Sequence, residues 1–108
     1  MAASRIENTM LFDFYGELLT EKQREYFDLH YNEDLSLAEI AEQCGISRQG
    51  VWDIIRRAGA AMEEIERRTG LIRRFLERNS QIDGIIRELD EAGSLTESLR
   101  SGLLSLKI

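Results

Sequence analysis

The sequence predicts an all-α fold, and three observations carry that prediction. No proline occurs in the 108 residues, so nothing forbids long helices. Leu, Ile, Ala, Glu and Arg are abundant, whereas few Val or Thr residues argue for strands. Apolar residues also recur at three- and four-residue intervals through most of the chain, which is the helical period. With 43% hydrophobic and 31% charged residues, the composition is that of a globular chain rather than a disordered one. Its length suits one small domain with a helical extension.

The first helix is expected over 5–19, where Ile6, Met10, Leu11, Phe14, Tyr15 and Leu18 share one face. Thr20-Glu-Lys-Gln23 then has the spacing of a capping box, in which the side chains of Thr20 and Gln23 satisfy each other's free backbone N–H groups. The helix it opens buries Tyr26, Phe27 and Tyr31 and is broken by Asn32-Glu-Asp34. Ser36-Leu-Ala-Glu39 is a second capping box, starting a short helix over 37–44 that Gly45 ends. Ser47 is the next N-cap, and a helix runs from Arg48 to at least Ile65.

Beyond Thr69-Gly70 the pattern changes. Ile72, Phe75, Asn79, Ile82, Ile86 and Leu89 alternate three- and four-residue steps, the signature of a two-helix seam. The helix either continues through Asn79 or restarts at Ser80, because Ser80-Gln-Ile-Asp83 resembles a cap; Gly93 ends it. Ser94-Leu-Thr-Glu97 reads as a further capping box before a last helix carrying Leu95, Leu99, Leu103 and Leu106. The division expected is a helical domain over 1–70 and a C-terminal extension over 71–108, the candidate dimerisation segment.

The stretch 37–56, LAEIAEQCGISRQGVWDIIR, meets the requirements of a helix-turn-helix. Ala41 is small where the two helices approach, and Gly45 supplies the turn. Ile40, Cys44, Ile46, Val51 and Ile54 pack one helix on the other. Around the second helix, Val51, Ile54, Ile55, Ala58, Met62 and Ile65 form the core face. Gln49, Trp52 and Arg56 share an outer flank, with Ser47 and Arg48 at the tip. Ser47, Arg48, Gln49, Trp52, Arg56 and Arg57 are thus the candidate nucleic-acid contacts. Arg reads guanine, Gln reads adenine, and Trp packs on a sugar or a thymine methyl.

Electrostatics pull both ways. The net charge is −6, and residues 1–35 hold three basic against eight acidic groups. The window 47–57, however, has Arg48, Arg56 and Arg57 against Asp53. Asp53 can pair with Arg56 at i+3 or Arg57 at i+4, each worth about 0.2–0.5 kcal/mol. The same face also suits a protein partner, with Trp52 as its anchor. Residues for other chemistry are few. The only histidine, His30, and the only cysteine, Cys44, read as packing residues. The sequence shows no metal-ligand spacing and no glycine-rich phosphate loop, so neither an enzyme nor a cofactor is expected. The N-terminus MAASRIENTM has no export-signal pattern, and no apolar run suffices for a membrane span, which leads to a cytoplasmic expectation.

Two segments together, Leu11-Phe-Asp-Phe-Tyr-Gly-Glu-Leu-Leu-Thr-Glu-Lys-Gln23 and Ser47-Arg-Gln-Gly-Val-Trp-Asp53, resemble the YlxM family of small bacterial helix-turn-helix proteins. Its middle part is similar to region 4 of sigma factors. The likeness covers roughly residues 8–76, and its N-terminal block is the more specific half. The resemblance implies a three-helix core of winged-helix-like type without a wing, joined to a C-terminal helical extension, and often a homodimer. It also implies a regulatory role in the signal recognition particle pathway, through DNA or the particle RNA, or as an adaptor on the particle GTPase. Gly50 and Trp52 stand where the family pattern calls for alanine and tyrosine. The glycine loosens the helix by about 1 kcal/mol.

Overall fold

The computed structural model describes residues 5–107. Its helices are α1 (Arg5–Tyr15), α2 (Glu21–Tyr31), α3 (Leu37–Cys44), α4 (Arg48–Thr69), α5 (Leu71–Glu91) and α6 (Glu97–Ser105), with a 3₁₀ turn at Gly16–Leu18. No strand occurs among the described residues. The chain divides into one compact unit over residues 1–69 and a second over 70–108.

The first unit is organised around α4, which packs on α1, α2 and α3. Val51, Ile55, Ala58 and Met62 recur every three or four residues along α4, and all four are almost wholly buried. They form the stripe that the sequence pattern predicts. Ile54 and Ile65, expected on the same face, lie at its margins and are half-buried. From α2, Phe27 enters the centre at 1% exposure. Its ring stacks on Phe12 at 5.6 Å and meets Tyr31 at 4.6 Å. Gly59 gives α4 room beside this ring, since a Cβ there would stand 3.8 Å from Phe27 Cε2.

Local signals set most helix ends. Thr20 Oγ1 accepts from Gln23 N, and Gln23 Oε1 accepts from Thr20 N. Ser36 and Glu39 make the same reciprocal pair. The Glu39 carboxyl is held below its ordinary range, first by the Ser36 backbone N–H and then by the Ser36 hydroxyl. The α2–α3 turn is closed by His30, whose Nδ1 lies 2.8 Å from the Leu35 carbonyl oxygen. In this turn Asp34 adopts φ +60° and pairs with Arg5. The packing role expected of His30 thus takes a specific form.

Three expectations need correction. The first helix stops at Tyr15 instead of reaching residue 19, and the chain tightens into the 3₁₀ turn. Its buried face runs through Asn8, Leu11 and Tyr15, leaving Ile6 at 76% and Leu18 at 69% exposure. Two apolar stripes shared that helix, and the sequence period merged them. In the last helix the cap is Thr96 rather than Ser94: Thr96 Oγ1 accepts from Leu99 N at 3.1 Å.

Tyr15 ties α1 to the far end of α4. Its phenol lies 2.5 Å from Glu66 Oε1 and 2.8 Å from Thr69 Oγ1. On the exposed side of the same turns, Glu64 accepts from both Arg67 and Arg68. These bonds, Arg67 first, bring its carboxyl down to about 2.

In the second unit α5 runs unbroken through Asn79 and Ser80. The chain then turns at Gly93, φ +71°, and α6 packs back on α5. Lys107 Nζ reaches Asp83 Oδ1 at 2.8 Å.

Tyr15→Phe should lower unfolding stability by about 1–3 kcal/mol, because the phenol bonds a charged carboxylate. Urea denaturation at neutral pH measures it, and a change under about 0.3 kcal/mol would dismiss the clamp. Because the folded pKa of Glu64 is lowered, its contribution is present above the unfolded value and fades as pH falls towards about 2. A carboxyl NMR titration should find Glu64 lowest among the glutamates, with Arg67→Ala raising it.

Candidate nucleic-acid interface

The geometry of α3 and α4 follows from the three residues between them. Gly45 takes φ +70°, ψ +30°, the left-handed conformation that only glycine adopts freely. Its N–H bonds the Ala41 carbonyl at 2.9 Å, and Ile46 N reaches the same oxygen. Ser47 then caps α4: Gly50 N donates to its Oγ at 3.0 Å. Ile40 and Val51 are fully buried across this turn, and Ala41 is 9% exposed, which fixes one helix against the other. Cys44 is half-buried at the end of α3 beside the phenol of Tyr26. Burial first, and the thiol second, push that phenol above its ordinary value. The cysteine therefore sits in the packing role read for it.

The core stripe points inward, so the remaining first turns of α4 face out. Ser47, Arg48 and Gln49 are exposed at the tip, and Arg56 and Arg57 are exposed two turns on. Trp52 is half-buried rather than fully outward; part of its indole is therefore available as a flat apolar surface. Arg48 and Arg57 make no ion pair among the described residues.

Asp53 settles a choice left open by spacing. It pairs with Arg56, Nη2 to Oδ1 3.8 Å, and not with Arg57. It also accepts from Gln49 Nε2 at 3.4 Å, a contact missed in the sequence reading although the i, i+4 spacing signals it. Asp53 thus restrains two of the candidate contacts on one flank, while Arg48 and Arg57 stay unrestrained. Such exposed pairs are weak, about 0–1 kcal/mol, so they bias rotamers without locking them. The shape suits insertion of the α4 tip into a groove, with arginines placed for phosphates or bases. The acids Glu39 and Glu42, exposed on α3, limit the positive field to α4 itself.

Among the described residues no three His, Cys, Asp or Glu side chains are grouped to hold a metal ion. No helix there is long and apolar enough to cross a membrane.

Comparison with known sequences agrees with this architecture. Residues 2–101 match the family model UPF0122, "Putative helix-turn-helix protein, YlxM / p13 like". A UPF0122 protein of Thermoanaerobacter sp. is 49% identical over 77 residues, covering 71% of this chain and 66% of that relative's length. One from Halalkalibacterium halodurans is 46% identical over 96 residues, 89% of this chain and 87% of its own. One from Listeria innocua is 39% identical over 98 residues, 91% and 89% of the two chains. The chain belongs to the UPF0122 family.

Asp53→Ala releases Gln49 and Arg56 and removes one negative charge. Fluorescence anisotropy with a random-sequence duplex should show tighter binding, by about 2- to 10-fold at low salt. Weaker binding would mean that Asp53 itself supports the contact.

Proposed function

We propose that this UPF0122 chain is a non-enzymatic, cytoplasmic regulator that binds nucleic acid, DNA in the first instance, through the first turns of α4. The observation that supports this best is the division of α4 into a buried stripe and an exposed tip beyond a glycine turn. In this reading Arg48 and Gln49 meet base edges, Arg56 and Arg57 meet phosphates, and Ser47 bonds a phosphate at the helix start. Trp52 packs its exposed edge on a sugar or a thymine methyl. The family resemblance extends the reading to the signal recognition particle pathway, with the particle RNA as the competing ligand and its GTPase as the protein partner to be tested. A homodimer belongs to the same reading, because two tips contact two half-sites about 34 Å apart and a single tip discriminates poorly.

The net charge of −6 makes salt the informative variable. Two arginine–phosphate contacts give a slope of log K against log salt of about −2. Screening of the acidic body's repulsion offsets part of it, so binding to duplex DNA should fall only moderately between low and physiological ionic strength. Arg56→Ala and Arg57→Ala should each reduce the slope of log K against log salt by about 1. Arg48→Ala should cost about 1–3 kcal/mol and relax base preference. Titrations against duplex DNA and the particle RNA, side by side, measure all of this. Undetectable binding to both at low salt defeats the proposal, and capture of the GTPase that depends on Trp52 would then favour the adaptor role.

A further inference from the structure

We infer that the cavity between the start of α1 and the α2–α3 turn binds a small neutral zwitterion, an α-amino acid up to the size of glutamine. Arg5 takes its carboxylate and Asp34 its ammonium. The site is independent of the nucleic-acid reading and lies wholly within the first unit.

The cavity has a volume of about 300 Å³ and is lined by Arg5 and Asn8 of α1, His30 and Tyr31 at the end of α2, and Asp34 and Ser36 of the turn. At about 30 Å³ for each water-sized group it holds about ten non-hydrogen atoms, at the lower end of the range for small-molecule sites. Its polar groups exceed what the turn needs. His30 Nδ1 closes the turn on the Leu35 carbonyl at 2.8 Å, and Leu35 N donates to the Leu29 carbonyl. That leaves His30 Nε2 and the Tyr31 phenol without a hydrogen-bond partner among the described residues. Arg5 uses Nη2 alone, towards the Tyr31 carbonyl at 3.3 Å and Asp34 Oδ1. Its Nε and Nη1 donors stay uncommitted there, as does Asp34 Oδ2. Ser36 Oγ accepts from Glu39 N and keeps its own proton to donate. Asn8, 6% exposed, is the one buried polar residue among those described, and its amide offers both a donor and an acceptor.

Charge selects the ligand. Arg5 and Asp34 are the two charged groups of the lining, one of each sign. A simple anion would bring negative charge into the most acidic stretch of the chain, residues 1–35, with eight acidic against three basic groups. A simple amine would leave Arg5 without a counterpart. A zwitterion matches both groups and replaces their mutual contact with two of the same kind. The Arg5 and Asp34 side chains are 61% and 70% exposed, and exposed pairs are held weakly, so theirs opens at little cost. Asp34 is also the one non-glycine residue with positive φ among those described, at +60°. Backbone in that region concentrates at ligand clamps and active sites. The Asn8 amide, deepest in the cavity, suits a polar side chain on the amino acid.

His30 is the only histidine, so its imidazole C–H signals in an NMR spectrum of the full chain report on the cavity directly. L-serine, L-asparagine and L-glutamine are titrated separately at fixed pH. At least one should shift these signals to saturation with a Kd below about 2 mM. Acetate and methylamine, alone or together, should bind at least about tenfold more weakly. Arg5→Gln and Asp34→Asn should each weaken the amino acid at least about tenfold, and asparagine keeps the left-handed backbone of the turn. Arg100→Gln, in the second unit, should leave the affinity unchanged. Absence of a saturating shift with all three amino acids overturns the site, as does a shift that survives both cavity variants. Acetate or inorganic phosphate binding as tightly as the amino acids overturns the zwitterion and leaves a plain anion notch.

Discussion

The apolar stripe of α4 is the constraint on which the first unit depends. Val51, Ile55, Ala58 and Met62 are each at or below 1% exposure, and α1, α2 and α3 all pack against the helix that carries them. Burying side chains of this size contributes about 1.5–3 kcal/mol each for the larger ones. The packing of α4 against these three helices is the most extensive in the unit. The stripe also fixes by exclusion which residues face out. Arg48, Gln49 and Arg56 face outward because Val51 and Ile55 are committed to the core.

Much of this was legible in the sequence where local chemistry decides the outcome. Ser36 with Glu39 and Thr20 with Gln23 specify helix starts through side-chain bonds that need no tertiary context. Gly45 specifies a stop through backbone sterics alone. The pattern failed where two solutions were locally equivalent. On α1, the Ile6–Met10–Phe14–Leu18 and Asn8–Leu11–Tyr15 lines both have helical spacing, and only packing against α4 selects the second. Asn8 could not be recognised as buried because an asparagine carries no apolar signal. Ser94 and Thr96 are both acceptable caps, and the turn at Gly93 selects the later one. Of the candidate site, the identity of the exposed residues was readable, but the partner of Asp53 was not, because i+3 and i+4 arginines are equivalent until rotamers are set.

Electrostatics give the molecule two distinct territories. Negative charge is concentrated in the first 35 residues, and Arg48, Arg56 and Arg57 are exposed along the first turns of α4.

The span of α4 has a mechanical meaning. The helix is 22 residues long, about 33 Å at 1.5 Å per residue, with the exposed tip at its first turn and the Tyr15–Glu66–Thr69 bonds at its last. It acts as a single lever without an internal joint. A rotation of only about 2° imposed at the clamped end moves the tip by about 1 Å over that length. Substitutions around Tyr15 can therefore shift the first turn of α4 from the far end of the same helix.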